Sequence, residues 1–196
     1  GAILHDIGLR YITVPYDDVD ESEMNIKDAL EYKKHTIYGY TAVQDETWLS
    51  EQSKEIILLH HEREDGSGYP FRKGFKKLKP EVKLVSVCDD FDSLISGIGS
   101  KRMKIYEAIE YIQMSAGKLY DATIAGKLLE SIALYPVGLK VVTSEGEIGV
   151  VVRQNPEATD RPVLRMLVKR DGSEFEKELY KDLMKIFTLF IVDTIE

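Results

Sequence analysis

The chain holds four histidines, and they fall at three places: His5-Asp6, His35, and His60-His61-Glu62. Imidazole and carboxylate together form the usual ligand set for zinc, iron, manganese or nickel, and an adjacent His-Asp or His-His pair is able to serve two ions rather than one. Taken singly, each histidine has an ordinary reading. His35 reads as a surface residue, and His60 and His61 as the end of a helix, where cationic imidazole complements the dipole. A further carboxylate, Asp89, stands inside the run Val85-Ser86-Val87-Cys88-Asp89-Asp90-Phe91-Asp92. Buried there without a partner it would be strongly unfavourable, so it needs water or a cation. From this helix alone a solvated acidic stripe is equally compatible, with Asp89 and Asp92 on one face by their three-residue spacing and Asp90 turned elsewhere. The four histidines taken together with Asp89 favour a metal cluster.

Residues so far apart in sequence meet only if helices carry them. From about Asp20 to Ser131 apolar residues recur at three and four, the helical period. Met24, Ala29, Leu30 and Tyr32 are expected on one helix running to His35, which closes it. Trp48, Ile56, Ile57 and Leu59 are expected on a second that ends near His60-His61, with Trp48 and the helical tyrosines in the core. Asp65-Gly66-Ser67-Gly68-Tyr69-Pro70 is dense in turn residues and reads as a loop, in which Arg63 and Asp65 serve orientation through an ion pair or a turn hydrogen bond. Pro80 suits a first helical turn, followed by the stripe Leu84, Val87, Cys88, Phe91 and Leu94. Two more helices are expected, near Ile105 to Ala116 and Ala122 to Ala133.

After Tyr135-Pro136-Val137-Gly138 the texture changes. Val141 to Thr143, Ile148 to Arg153, Val163 to Lys169 and Phe187 to Val192 are short β-branched runs separated by turn signals. The expected fold is mainly α, a helical domain over 1–134, followed by a small antiparallel β module over 135–196. That module carries no histidine and reads as a docking or regulatory appendage.

Composition narrows the function. The formal net charge of −8 would repel a long phosphate backbone, which argues against a long nucleic acid as partner but leaves open a small phosphate ligand in a pocket whose potential a metal inverts. One cysteine, Cys88, makes an intrachain disulfide impossible and points to a reducing, cytoplasmic setting. No run of about 18 apolar residues predicts a membrane span. Gly1-Ala2-Ile3-Leu4 reads as the end of a helix that begins upstream, so the chain is expected to be a fragment.

His5-Asp6-Ile7-Gly8, His35 after Lys33-Lys34, and His60-His61-Glu62-Arg63 followed by Asp65-Gly66-Ser67-Gly68-Tyr69-Pro70 resemble the HD-GYP subgroup of the HD-domain metal-dependent phosphohydrolases. Val87-Cys88-Asp89-Asp90-Phe91-Asp92-Ser93-Leu94 is similar to the family's downstream aspartate helix, and Leu119-Tyr120-Asp121 to its later Phe-Asp turn. The resemblance covers about residues 1 to 132. It implies an HD-domain helical bundle that holds two or three divalent ions, iron or manganese, and hydrolyses cyclic di-GMP, or a related cyclic dinucleotide, to pGpG and GMP. By position His5, Asp6, His35, His60, His61 and Asp89 would be the ligands, with Asp6 catalytic as the bridge between two ions. A water shared by two such ions becomes a nucleophile near neutral pH, and the same ions neutralise the phosphate oxygens and the leaving oxygen. Tyr69 would shape the substrate pocket, and the Gly68-Tyr69-Pro70 loop would also touch a diguanylate cyclase domain.

Two positions depart from the family's pattern. Leu9 stands where a lysine usually contacts the scissile phosphate, leaving Arg10 as the nearest cation. Ile98-Gly99-Ser100-Lys101 replaces an Arg-Pro-Tyr-Arg stretch, so Lys101 reads either as the remaining phosphate contact, a point charge without the planar fork of arginine, or as a solvated surface lysine. Thr36 also replaces a proline that usually follows the histidine. Beside the enzyme stands an alternative, a weak or inactive module that keeps its metals and binds nucleotide or docks a cyclase. Hydrolysis of another phosphate ester is a third reading.

Overall fold

The computed structural model describes residues 1–72, 74 and 78–195. The chain divides into two compact units, Gly1–Ser131 and Ile132–Glu196.

The first unit is helical. Two short 3-10 turns, Ala2–Leu4 and Ile7–Tyr11, precede α1 (Ile26–Lys33), α2 (His35–Val43), α3 (Glu51–Leu59), α4 (Pro80–Ser96), α5 (Ile105–Ser115) and α6 (Ala122–Ser131). Local chemistry sets most of the boundaries. Asn25 accepts from the Asp28 amide at 3.0 Å, Ser50 from the Ser53 amide at 3.2 Å, and Asp121 from the Thr123 amide at 3.1 Å, which caps α1, α3 and α6. Pro80 opens α4, and Gly97, at φ +87°, ends it.

Three helical expectations need correction. Met24 lies outside α1, beyond a 3-10 turn at Glu21–Glu23. The Lys34 amide tightens onto the Glu31 and Tyr32 carbonyls and ends α1, so that His35 opens α2 instead of closing a helix. Trp48 precedes the Ser50 cap, is 69% exposed and donates to Glu46 at 2.6 Å, so it belongs neither to α3 nor to the core. Among the helical tyrosines Tyr32 is buried, whereas Tyr106 and Tyr111 are exposed, as is Leu84 on α4. One apolar cluster joins Ile56 and Leu59 of α3 to Val82 of α4, and another joins Val87 and Leu94 of α4 to Ala108, Ile112, Tyr120 and Ala125. Helix α4 is therefore packed on two sides.

The second unit is a five-stranded antiparallel sheet in the order β4-β3-β2-β1-β5, with β1 at Lys140–Thr143, β2 at Ile148–Arg153, β3 at Val163–Val168, β4 at Glu174–Asp182 and β5 at Ile191–Ile195. Val141, Val151, Leu164, Met166, Leu183 and Leu189 form its core. The sequence reading misses β4 because Glu174–Asp182 is an edge strand, mostly exposed and charged, with no apolar alternation to reveal it. It also begins the last strand too early. Arg161 donates to the carbonyls of Leu183, Ile186, Phe187 and Leu189 at 2.8 to 3.2 Å, which holds that segment in turns, with Phe187 exposed. Among the described residues no helix is long and apolar enough to cross a membrane.

Candidate metal centre

Four segments of the helical unit bring the histidines together. His5 and Asp6 lie between the two 3-10 turns, His35 begins α2, His60 and His61 follow α3, and Asp89 sits on α4. Two glycines allow the approach. A Cβ on Gly8 would lie 1.9 Å from the His35 carbonyl oxygen, and one on Gly68 would lie 2.3 Å from that of His61, so the main chain passes where no side chain fits.

All six expected ligands converge. Asp6 divides its carboxylate: Oδ1 lies 3.5 Å from Nε2 of both His35 and His60, and Oδ2 lies 3.5 Å from Nε2 of His5. Asp89 does the same, with Oδ1 at 2.8 Å from Nε2 of His5 and Oδ2 at 3.7 Å from Nε2 of His61. Donor atoms of Asp6, His35, His60 and His61 lie within 4.8 Å of one another, as do those of His5, Asp6 and Asp89, and those of His61, Asp89 and Asp90.

The donor set fits divalent ions. Among the described residues Oδ2 of Asp89 is buried without a hydrogen-bond partner, the atom whose desolvation a cation would offset. The outward nitrogens are already assigned. Nδ1 of His5 faces the Ala2 carbonyl at 2.6 Å, that of His35 the Tyr32 carbonyl at 2.8 Å, and that of His60 the carbonyls of Ile56 and Ile57 at 3.1 and 3.0 Å. Such bonds hold the proton on Nδ1 and leave the Nε2 lone pair for a metal. The helical unit thus carries a His/Asp cluster able to bind divalent metal.

Electrostatics follow from the burial. Desolvation opposes charge on His5, but the Asp89 hydrogen bond and the charge of Asp6 prevail and push it up to about 9. Burial and the charge of His60 push His35 down to about 4, and burial with the charges of His60 and His35 holds His61 well below the ordinary range. Burial of Asp6 is outweighed by its His60 hydrogen bond and the neighbouring histidine charges, so its carboxyl sits below the usual range.

A cavity of about 250 Å³ opens beside the cluster, lined among others by His61, Arg63, Tyr69, Asp90, Ile98 and Tyr120. The Tyr69 ring stacks on His61 at 4.7 Å, and the Lys33 ammonium lies 5.4 Å from that ring. The loop is held as expected. Asp65 accepts from the Ser67 amide at 2.9 Å, Glu62 from the Phe71 amide at 2.7 Å, and Arg63 pairs with Asp90 at 2.6 Å.

The two remaining cations expected at the substrate lie elsewhere. Arg10 is exposed with its guanidinium 5.4 Å from the Tyr11 ring, and Lys101 is exposed and paired with Glu23 at 2.5 Å. Neither lines the cavity, whose corresponding wall is Ile98, Gly99 and Ser100. Main-chain hydrogen bonds pin that wall to residues 16–18, which turns the Lys101 side chain outward. Asp92 is exposed and stays apart from the cluster. Asp90 does not turn elsewhere as expected: it pairs with Arg63 and accepts from Tyr120, and one of its oxygens lies within 4.8 Å of donor atoms of His61 and Asp89. The sequence reading gave Asp90 and Tyr120 no role at the site; the one available signal was a second carboxylate inside an apolar helix.

Residues 2–124 match the family model described as HD domain, and residues 141–196 match one described as KOW domain associated with HD domain. A cyclic di-GMP phosphodiesterase of Pseudomonas aeruginosa is 27% identical over 166 residues, 84% of this chain and 39% of that protein. One from Thermotoga maritima is 33% identical over 134 residues, 66% of this chain and 35% of that protein. Among solved structures, an HDG"Y"P protein from Bdellovibrio bacteriovorus superposes with a TM-score of 0.55 at 26% identity, over 66% of this chain and 40% of its own. The chain therefore spans well under half the length of these relatives. Its match over 2–124, the HD-type helical fold and these similarities agree: the chain belongs to the HD domain family, in its HD-GYP subgroup.

Proposed function

We propose that the helical unit is a metal-dependent phosphodiesterase that hydrolyses a cyclic dinucleotide, cyclic di-GMP or a close relative, to pGpG and GMP. The observation that carries this reading is the divided carboxylate of Asp6, one oxygen toward His35 and His60 and the other toward His5. It suits two ions, held by His5, Asp6, His35, His60, His61 and Asp89, and nitrogen and carboxylate donors of this kind suit iron or manganese. Divalent ions bound there would supply an activated water and neutralise charge on the phosphate.

The chain's own residues do the rest. Asp6 would hold and orient the ions, and Tyr69, stacked on His61, would shape the wall of the substrate cavity that it lines. The wall at Ile98 is uncharged, so phosphate is to be bound at the cluster itself. The Gly68-Tyr69-Pro70 loop, continuous with the exposed Phe71, is the surface on which a diguanylate cyclase domain would dock. The lone Cys88 suits a cytoplasmic setting.

The test is anaerobic incubation of the iron- or manganese-loaded protein with cyclic di-GMP, following pGpG and GMP by chromatography beside a His60→Ala control. Product that disappears in the control supports the enzyme. The outward turn of Arg10 and Lys101 favours a second reading, a module that binds nucleotide without turning it over. Leu9→Lys separates the two: a large rise in turnover marks a weakened enzyme, and no change with metal bound marks the binding module.

A further inference from the structure

Tyr32 stands next to the cluster in two ways. Its carbonyl faces Nδ1 of His35 at 2.8 Å, and its ring lies against the same histidine with centroids 5.1 Å apart. The residue is buried, only 5% exposed, and yet it lines the cavity beside the cluster. Its hydroxyl ends against Gly99, another residue of that wall: a Cβ on Gly99 would lie 1.9 Å from the phenol oxygen. Gly99, at φ +68°, therefore leaves a space that the hydroxyl fills. Among the described residues this hydroxyl has no hydrogen-bond partner. Tyr120, on the same cavity, is different, because its hydroxyl donates to Asp90 at 2.5 Å.

A buried hydroxyl without a partner costs stability, and sites that keep such a cost are those where function uses the group. The rest of the wall leaves it a role. Among the described lining residues the one guanidinium, that of Arg63, is taken up by Asp90, Ser86 and the carbonyls of His60 and Glu62, and Ser100 donates to the Ser93 carbonyl at 2.7 Å. Asp20 and Glu21 also line the cavity, but a carboxylate only accepts and carries the same charge as a phosphate. A phenol supplies an O–H at neutral pH, and the oxygens of a phosphodiester only accept. We propose that Tyr32 is a substrate-binding residue, whose hydroxyl donates to an oxygen of the phosphate held at the metal cluster. Gly99 is its counterpart, kept free of a side chain so that the hydroxyl reaches the cavity. The inference rests on the nucleotide reading of the site given above.

The test is calorimetry on the manganese-loaded whole chain with two probes, GMP and inorganic phosphate. Tyr32→Phe removes one oxygen and should weaken both probes by the same factor, about tenfold for a hydrogen bond to a charged group, with the bound metal unchanged. The ion-free variant should melt at the wild-type temperature or above it, because the oxygen it loses has no partner; a merely structural role would lower the midpoint. Unchanged affinity for both probes in the variant would overturn the proposal. So would a loss seen with GMP and not with inorganic phosphate, which would assign the hydroxyl to the base or the ribose, and so would a fall in bound metal. A metal-loaded wild type that binds neither probe would overturn the nucleotide reading and this inference together, whereas binding of both without hydrolysis of cyclic di-GMP would remove only the proposed activity.

Discussion

The Nε2 atoms of His35 and His60 lie 3.4 Å apart, and both rings are fully buried. Because each Nδ1 faces a carbonyl, both rings in their neutral form point lone pairs at each other and at Oδ1 of Asp6. That convergence needs a cation or a shared proton.

Replacing either ring should therefore empty that pocket of its ion. His60→Ala should cost more metal affinity than the about 10–100-fold typical of losing an outer-shell partner, and should abolish the proposed phosphodiester hydrolysis. Metal analysis after dialysis checks this, and a His60→Ala protein that retains the wild-type ion content would contradict it.

The histidines also set a pH dependence for the ion-free protein. His5, pushed up to about 9, binds its proton more tightly folded than unfolded, so its contribution to stability is full below its ordinary value of about 6.5 and is lost as pH rises through 9. His35, pushed down to about 4, does the reverse: its contribution is full above the ordinary value and is lost as pH falls through 4. Melting midpoints in chelator should peak near neutral pH. Added divalent ion should displace the His5 proton, so the stabilisation it confers should grow toward pH 9. A midpoint that climbs without ion across that whole range would count against this assignment.

Gly8 sits where a Cβ would lie 1.9 Å from the His35 carbonyl oxygen and 2.6 Å from the Gly39 amide nitrogen. Gly8→Ala should displace the 3-10 turn from α2, carrying His5 and Asp6 away from His35. The expected result is a destabilisation of about 1–3 kcal/mol, with weakened metal binding, read by denaturant melts and ion titration. Normal metal uptake at normal stability would show that the turn yields elsewhere.

Arg161 supplies the sheet unit with donors to four carbonyls. Arg161→Ala strands the part-buried carbonyls of Leu183, Ile186 and Leu189, and the penalty for an unsatisfied acceptor, about 1–3 kcal/mol, should appear as early unfolding of residues 183–189. Hydrogen exchange across that segment measures it directly; wild-type protection would show that water replaces the guanidinium without loss.

Much of the candidate site is legible in the sequence. His5-Asp6 and His60-His61 are adjacent in the chain, and adjacency on different elements already suggests shared ions. Asp89 betrays itself by interrupting an apolar helical stripe, and the turn-rich Asp65 to Pro70 run could only be a loop. Periodicity likewise marked most helices and three of the five strands, because a buried face leaves a period in the sequence. Where no face is buried there is no period, which is why the charged edge strand β4 escaped notice and why Trp48 was misplaced into a helix. The directions of Arg10, Lys101 and Asp90 were also beyond the sequence. One residue turns a helical side chain by about 100°, and what it then meets depends on a segment far away in the chain: Glu23 for Lys101, Arg63 and Tyr120 for Asp90. The ligand types could be read from local sequence. Their pairing, as in His5 with Asp89 across 84 residues, exists only once apolar packing of α3, α4 and the neighbouring turns has brought them within reach.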